Sequence, residues 1–439
     1  MRVQSATSFL IVSLVLTARG ENWPQWRGPH FNGSSADQNL PVSWDQTNGV
    51  AWATALPGYS GSTPIVWDNR VFLTSPNDQK ELLLLCIDRG SGQVRWRKVV
   101  GTGNREKGLN NMASPSPTTD GKSVFALFAT GDLGAFDFDG KELWKRNLAD
   151  EYGRFAIMWI YGSSPLLYDG KLYIQVLQSN PRPDNYAHAQ GDKAGRDSYL
   201  LCIDPATGKN LWRQERPSEA TSEAQEAYTT PLPLQGPNGK EIVIVGANYV
   251  TGHSAGTGEE IWRCGGLNDR KELFWRIVPS AVAGNGMIFA CGPKRDPLLA
   301  VREGGKGLLT ESHVAWRFKE NPTDCTTPLF YQDRLFVLDG DKQVMTCLDP
   351  KTGAKLWQGS LGVREIFRAS PTGADGKIYC VSENGTVVVL DAGKEFRVLS
   401  TIMMGDKPVR ASIAVAQSQL FLRTARTLFC IEAQVSKNP

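Results

Sequence analysis

The sequence predicts an all-β fold, a single β-propeller of four-stranded antiparallel blades. A unit recurs about every 40–50 residues, a period typical of propellers and solenoids. The segments between turns are rich in β-branched and aromatic residues and show no helical periodicity. Within the unit, a small residue, an Asp, a tight Gly turn and a Trp follow in fixed order, most clearly at 86–96, 202–212 and 347–357.

The first 20 residues have the pattern of a secretory signal peptide. Arg2 precedes an apolar run at 9–16 and a small-x-small site that ends at Gly20. This run is shorter than the ~20 residues that a membrane span requires, and a buried first strand is the alternative interpretation. We predict a signal peptide at 1–20, an N-terminal extension at 21–47, and a periplasmic or secreted protein. No cysteine stands directly after the apolar run, so no lipid or other membrane anchor is predicted.

Each recurring position of the unit has a structural explanation. The Asp side chain can accept hydrogen bonds from amides of the turn, and the Gly supplies a positive φ. The Trp then offers a large apolar face to the next blade, over a slot that holds a small residue. Cysteine fills this slot at Cys86, Cys202, Cys347 and Cys430. Since equivalent positions are spread around a ring, these four are expected as buried free thiols. A disulfide stays possible among Cys264, Cys291, Cys325 and Cys380.

Two counts give eight blades, with seven as the alternative. Outer-strand aromatics occur at Trp52, Trp96, Trp144, Trp212, Trp262, Trp316, Trp357 and Phe396. Inner strands open at Thr63-Pro64, Ser114-Pro115, Ser164-Pro165, Thr230-Pro231, Ser280-Ala281, Thr327-Pro328, Ser370-Pro371 and Ser412-Ile413. Trp52 precedes the first opening, so residues 48–56 are predicted to supply the outer strand of the last blade. This strand exchange would close the ring. The propeller is therefore predicted at 48–434, with a C-terminal tail at 435–439.

The repeat resembles the PQQ-like β-propeller repeat family of exported bacterial proteins. The small-x-Asp-x-x-Thr-Gly-x-x-x-Trp units at 202–212 and 347–357 carry the resemblance, which extends over 44–434. Two further stretches, Trp23-Pro-Gln-Trp26-Arg-Gly-Pro29 and Ala113-Ser-Pro-Ser-Pro117, also look like this family. Its members include quinoprotein dehydrogenases and the propeller lipoprotein of the outer-membrane β-barrel assembly machinery. The resemblance thus implies a fold and leaves the function open.

The sequence contains little that points to catalysis. Quinoprotein dehydrogenases of this family are expected to carry an adjacent Cys-Cys pair and a Glu/Asn/Asp set for Ca²⁺. This chain has no adjacent cysteines and no Gly/Asp-rich loop with calcium-ligand spacing. Its four histidines form no His-x-x-x-His pair, which disfavours a zinc hydrolase, and His253 is expected at the surface of a turn. A net charge of +3 gives no electrostatic case for nucleic acid.

The candidate site is the mouth of the ring, the face at which the innermost strands begin. Loops before strand 1 and between strands 2 and 3 of each blade should meet there. The predicted binding residues are Asn111, Trp159, Tyr161, Glu226, Tyr228, Arg276, Asp324, Arg368 and Arg410. Arg368 and Arg410 share one register in adjacent blades, which suits a carboxylate or another anionic group. The insertion at 178–198 is expected to overhang this face.

These observations favour an exported, non-enzymatic propeller that binds a protein partner or an extended polar or anionic ligand at its mouth. No cofactor is predicted, and a monomer is expected. The first alternative is an oxidoreductase that depends on PQQ and calcium. A weaker alternative is a carbohydrate-active enzyme with Glu226 and Asp324 as an acid/base pair.

Overall fold

The computed structural model describes residues 20–181, 196–294 and 296–433. In this part of the chain, eight four-stranded antiparallel sheets surround a central channel as the blades of a propeller. The predicted fold class is confirmed, including eight blades and closure by an N-terminal strand, which pairs with the last strand of the chain. The signal-peptide residues 1–19, the centre of the 178–198 insertion and the tail at 435–439 lie outside the described residues.

Strands are numbered in chain order, and each blade is listed from its innermost strand outwards. The first strand, β1 (Val50–Ala55), belongs to blade 8. Blade 1 contains β2 (Ile65–Trp67), β3 (Arg70–Pro76), β4 (Glu81–Asp88) and β5 (Val94–Thr102), and a ribbon of β6 (Glu106–Lys107) and β7 (Asn110–Asn111) follows. Blade 2 contains β8 (Thr118–Thr119), β9 (Ser123–Leu127), β10 (Asp132–Asp137) and β11 (Glu142–Asn147), and the short helix α1 (Leu148–Tyr152) follows. Blade 3 contains β12 (Leu166–Tyr168), β13 (Lys171–Val176), β14 (Tyr199–Ile203) and β15 (Asn210–Glu215), and a 3-10 turn (Ser222–Gln225) follows. Blade 4 contains β16 (Leu232–Gly236), β17 (Gly239–Gly246), β18 (Tyr249–Ser254) and β19 (Glu260–Cys264).

The second half of the ring repeats the arrangement. Blade 5 contains β20 (Val282–Gly284), β21 (Met287–Cys291) and β22 (Leu298–Arg302), then β23 (Gly307–Leu308), which pairs with β19, then the short helix α2 (Thr310–His313) and its own outer strand β24 (Val314–Phe318). Blade 6 contains β25 (Leu329–Tyr331), β26 (Arg334–Asp339), β27 (Val344–Leu348) and β28 (Lys355–Ser360). Blade 7 contains β29 (Thr372–Ala374), β30 (Lys377–Val381), β31 (Thr386–Asp391) and β32 (Val398–Met403). Blade 8 contains β33 (Ala414–Ala416), β34 (Gln419–Arg423) and β35 (Thr427–Glu432), and β1 completes it.

The Ser or Thr that opens each inner strand belongs to a closed ring of hydrogen bonds around the channel. In each blade the backbone N–H of this residue donates to the hydroxyl oxygen of its counterpart in the next blade, at 2.8–3.2 Å. We call this the hydroxyl ring. It consists of Thr63, Ser116, Ser164, Thr230, Ser280, Thr327, Ser370 and Ser412. In blade 2 the opening at Ser114 was therefore wrong by two residues, because Ser116 occupies the ring.

The recurring Trp connects neighbouring blades, as the repeat predicts. Trp316 of blade 5 lies on Gly353 of blade 6, where an added Cβ would come within 2.6 Å of the indole ring. Its indole N–H donates to the carbonyl of Pro350 at 3.1 Å. Gly353 has φ of +72°, and Asp349 accepts hydrogen bonds from amides of the same turn. The Trp of one blade and the Asp-Gly turn of the next are thus parts of one inter-blade contact.

The eight cysteines all lie among the described residues and are free thiols. Seven are buried, and Cys325 is partly exposed. Each of the four slot cysteines lies opposite the aromatic residue of the neighbouring strand in its own blade, as Cys86 lies opposite Trp96 and Cys347 lies opposite Trp357. Their role is therefore packing, and the disulfide left open by the sequence does not form in this structure.

His253 is buried in β18, so its expected place at the surface is wrong. Its Nδ1 lies 3.0 Å from the carbonyl oxygen of Gly258, and its Nε2 lies 3.0 Å from the Thr251 hydroxyl. Burial lowers the pKa of this imidazole to about 4 from its ordinary value of 6.5. The neutral form is therefore the one that the fold accommodates.

We expect this buried histidine to make the protein less stable in mild acid. Because the folded pKa is depressed, the stabilisation is present above the unfolded pKa and is lost as pH falls from 6.5 towards 4. Between pH 7 and pH 5 the loss from this one group should be about 2 kcal/mol. The measurement is the urea midpoint at both pH values for the wild type and for H253Q, which cannot titrate. An equal drop in both proteins would assign the acid sensitivity to other groups.

Candidate binding site at the channel mouth

The mouth opens into a cavity of about 350 Å³ on the propeller axis. Two layers of residues form its wall. The lower layer is the hydroxyl ring, of which six members line the cavity. The upper layer lies two residues earlier in each blade and consists of Gly61, Ser114, Gly162, Tyr228, Val278, Cys325, Arg368 and Arg410. The eightfold backbone thus carries a set of side chains that differs from blade to blade.

The N-terminal extension forms the floor of this cavity. Trp23 pairs with Val66 of β2 in an antiparallel bridge, and Ser35 donates its amide to Gly373 of β29, so the extension crosses the channel below the hydroxyl ring. Between these two anchors, the side chain of Trp26 lines the cavity. The channel is therefore filled below the ring by this segment, and the cavity is open at the mouth.

Arg27 fixes the extension in the channel. Its side chain is 3 % exposed, and its guanidinium donates to the carbonyl oxygens of Pro371 at 2.8 Å, Pro328 at 2.9 Å and Asn32 at 2.9 Å. Burial lowers the pKa of this guanidinium to about 9. One side chain thus joins the extension to the inner strands of blades 6 and 7.

Arg276 and Asp324 form a bidentate ion pair at the cavity wall. The two guanidinium nitrogens donate to the two carboxylate oxygens at 3.2 and 3.1 Å. Burial alone would raise the pKa of Asp324, but the charge and hydrogen bonds of Arg276 hold it below its usual value. The amide of Lys294, from the strand 2–3 loop of blade 5, also donates to Asp324 at 2.8 Å. The strand 2–3 loop of blade 5 and the loop before the inner strand of blade 6 thus meet at the mouth, as predicted.

Arg368 and Arg410 are adjacent members of the upper layer, and each contacts an acid from the preceding blade. Arg368 lies 2.7 Å from Asp341, and Arg410 lies 2.7 Å from Glu383. Arg410 also donates to Asn110 at 3.1 Å, while its Nε is buried and has no hydrogen-bond partner among the described residues. Both arginines therefore line the cavity, and each is paired with an acid.

Trp159 and Tyr228 form the aromatic part of the wall. The Trp159 ring is 40 % exposed, and the amine of Lys107 lies 5.2 Å from its centre. Its indole N–H donates to Glu223 at 3.0 Å, and its backbone amide donates to the Tyr228 hydroxyl at 3.0 Å. The Trp159 indole is therefore held by the hydrogen bond of its N–H, and part of its surface stays exposed at the mouth.

Three of the nine predicted residues are buried and do not line the cavity. Asn111 is 1 % exposed and donates to the Tyr59 carbonyl at 2.7 Å. The Tyr161 hydroxyl donates to the Gln175 carbonyl at 2.7 Å within the core. Glu226 is fully buried, and its carboxylate accepts from the Met158 amide, the Tyr228 hydroxyl and the Ser179 hydroxyl. The other six predicted residues line the cavity.

The sequence analysis missed several residues of the site. Trp26 and Cys325 line the cavity, and Glu223, Asp341 and Glu383 orient its charged and aromatic side chains. The Trp23–Pro29 stretch was recognised as similar to the family, but its place in the channel could not be seen from the sequence. Cys325 could have been found from the period alone, since it stands two residues before Thr327. Burial, and then Asp324, raises the pKa of its thiol to about 12.

Exposed apolar side chains surround the mouth. Five large ones lie in the loops that precede inner strands, namely Leu109, Trp159, Leu273, Phe274 and Ile366. Eight other large apolar side chains are exposed among the described residues, and seven of these lie on outer strands. The described ends of the 178–198 insertion reach the same face, where the Ser179 hydroxyl donates to Glu226 at 2.7 Å. The loops around the polar cavity thus carry exposed apolar side chains.

The described residues show no metal centre and no membrane span. They contain no group of three or more His, Cys, Asp or Glu side chains placed to hold a metal ion. No helix in the same part of the chain is sufficiently long and apolar to cross a membrane.

Comparison with known proteins identifies the repeat. A family model described as outer membrane protein assembly factor BamB matches residues 34–179 and 248–395, well over half of the chain. No curated protein matches the sequence. Among solved structures, BamB from Moraxella catarrhalis superposes with a TM-score of 0.59 at 14% identity and covers 87% of this chain and 99% of its own.

Two other solved structures show how broadly this architecture is used. Quinohemoprotein alcohol dehydrogenase from Comamonas testosteroni gives a TM-score of 0.62 at 12% identity, over 97% of this chain and 82% of its own. The computationally designed Ika8 protein gives 0.58 at 11% identity, over 86% of this chain and 98% of its own. At these identities the likeness is one of fold. The resemblance predicted from the repeat is confirmed.

Proposed function

The chain belongs to the family described as outer membrane protein assembly factor BamB, and from that premise we propose that it is a non-enzymatic propeller that binds a protein partner at its mouth. The cavity of about 350 Å³ on the axis carries this proposal, because arginines, aromatic rings and hydroxyls converge on it beneath an apolar rim. Interfaces of this composition owe most of their affinity to a few aromatic and arginine contacts.

The ion pairs at the mouth favour recognition of a specific partner. An arginine held by one carboxylate keeps further N–H groups that can donate to a ligand. Asp341 and Glu383 fix the direction of Arg368 and Arg410, so that less side-chain entropy is lost when a partner binds. Export to the periplasm or the medium, with removal of residues 1–20, is part of the same proposal and rests on the N-terminal pattern. A monomeric state is also part of this proposal.

The enzymatic alternatives have less support from the site. For a PQQ- and calcium-dependent oxidoreductase, the acids of the mouth do not fit the metal, because Asp324, Asp341 and Glu383 each contact an arginine. We therefore derive no catalytic step through a quinone. For a carbohydrate-active enzyme, Glu226 is buried and hydrogen-bonded, which leaves Asp324 as the carboxylate among the described lining residues.

Photo-crosslinking in the producing cell tests the proposed surface. A benzoylphenylalanine at Leu109 or Phe274 on the mouth rim is expected to form an adduct with one partner protein. The matched control is the same label at Leu143, which is 45 % exposed on the outer strand β11. The double change R368A/R410A should reduce the adduct about tenfold or more, because neither position can then contact a carboxylate of the partner.

The results of this experiment distinguish a partner surface at the mouth from the alternatives. Adducts from Leu143 alone, or adducts that persist undiminished in the double variant, would move the partner surface away from the mouth. A stoichiometric quinone chromophore after addition of PQQ and Ca²⁺ would favour the oxidoreductase instead.

A further inference from the structure

We propose, building on the proposed function, that the cavity receives the C-terminal end of a partner chain, with its terminal carboxylate bound by Arg368 and Arg410. The first step is the shape of the cavity. Because the extension fills the channel below the hydroxyl ring and Trp26 forms the floor, the cavity has its opening at the mouth. Its volume of about 350 Å³ is near the lower end of the usual range for ligand sites, roughly 300–1,000 Å³. A small cavity closed below accepts a chain end, whereas a continuous segment would have to enter and leave through the same opening.

The second step is the hydrogen-bonding character of the lower wall. Each hydroxyl of the ring accepts one hydrogen bond from the amide of the neighbouring blade, for example Thr327 from Ser280 and Ser412 from Ser370. A hydroxyl that accepts in this way retains its own proton as a donor. The six ring members that line the cavity therefore present O–H donors to whatever occupies it.

The third step is charge. Three arginines line the cavity, and Asp324 is the carboxylate among the described lining residues. Arg276 already contacts both oxygens of Asp324. Arg368 and Arg410 each approach an acid most closely through Nη2, at 2.7 Å. A wall that is rich in donors suits a terminal carboxylate and gives a terminal ammonium few acceptors.

The fourth step is the apolar part of the wall. Leu109, Ile160 and Val278 line the cavity together with the Trp26 and Trp159 rings. Two of the upper-layer positions are glycine, which leaves room for backbone to approach: Gly162 lies across the ring from Arg368, and Gly61 lies beside Arg410. We therefore expect an apolar residue at the end of the bound chain, with its side chain against this wall.

Calorimetric titration of the full mature protein tests the inference with a defined probe. The probe is the peptide acetyl-Gly-Ser-Ala-Leu-Leu with a free C-terminal carboxylate, and the comparison is the same peptide with a C-terminal amide. We expect the amide to bind about tenfold or more weakly, and R368A/R410A to remove this difference. The control variant is R397A, at an arginine that is 67 % exposed and pairs with Asp391 on the outer face, and it should bind like the wild type.

A gain-of-affinity variant separates this role from a merely structural one. D341N removes an exposed negative charge beside Arg368 and frees its guanidinium, so the carboxylate peptide should bind several-fold more tightly. Weaker binding by D341N, or equal binding of the acid and amide peptides, would overturn the inference. Binding of free PQQ or citrate without binding of the peptide would assign the cavity to a small carboxylate and would also overturn it. If the peptide fails while mouth-rim crosslinking persists, the proposed function stands and this inference falls.

Discussion

Replacing Arg27 with methionine is expected to lower the free energy of unfolding by about 3–5 kcal/mol. Methionine keeps much of the volume but leaves three carbonyl oxygens, of Pro371, Pro328 and Asn32, without the donors that satisfy them. The side chain is almost completely buried, so water has little access to replace these donors. The measurement is the urea midpoint followed by tryptophan fluorescence.

The matched control for this change is R426M. Arg426 is 63 % exposed, and its ion-pair contact with Asp78 is long, at 4.0 Å. Surface pairs of this kind contribute little, so R426M should shift the midpoint hardly at all. R27K should lie between the wild type and R27M, because one ammonium cannot reproduce the planar fork that spans carbonyls of two blades. A midpoint of R27M equal to that of R426M would mean that the extension does not hold the ring together.

The change G353A is expected to cost about 3 kcal/mol, the second largest effect. Gly353 has φ of +72°, and its new methyl group would come within 2.6 Å of the Trp316 ring. The left-handed conformation alone costs a non-glycine residue about 1–2 kcal/mol, and overpacking against the indole adds about 1–3 kcal/mol. Blades 5 and 6 should therefore separate more easily in urea.

Gly376 provides the control for backbone strain. Its φ of +67° is nearly the same, but no atom lies within 4 Å of the position of an added Cβ. G376A should thus cost about 1–2 kcal/mol from the conformation alone. The difference between the two variants measures the Trp–Gly contact. Equal costs would show that Trp316 adapts to the methyl group without loss.

Residues on the regular positions of the repeat could be predicted from the sequence. Arg368 and Arg410 were found because they share one register, and the structure places both in the upper layer of the cavity. The same period would have identified Cys325. Ser114 and Ser116 each precede a proline, so local sequence could not decide between them, and only the hydrogen-bond ring does.

Residues in irregular loops could not be predicted in the same way. Trp159 and Tyr161 are two residues apart, yet one faces the mouth and the other is buried. Between them, Ile160 has φ of +73°, which breaks the alternation that a strand would follow. By contrast, Asp341 and Glu383 stand at one common separation before Arg368 and Arg410, in the strand 2–3 turns of the preceding blades, and the sequence analysis missed this regular signal.

The sequence by itself determined the blade, the number of blades and the strand that closes the ring, because the contacts that build them recur at a fixed period. Repetition makes each local contact visible many times over. Tertiary structure alone decided that Trp26 and Arg27 occupy one end of the channel, that the opening hydroxyls accept amide N–H groups in a closed ring, and that the arginines of the mouth are paired with acids. These contacts join segments that are distant in the chain, and their geometry depends on where the closed ring brings the backbone together.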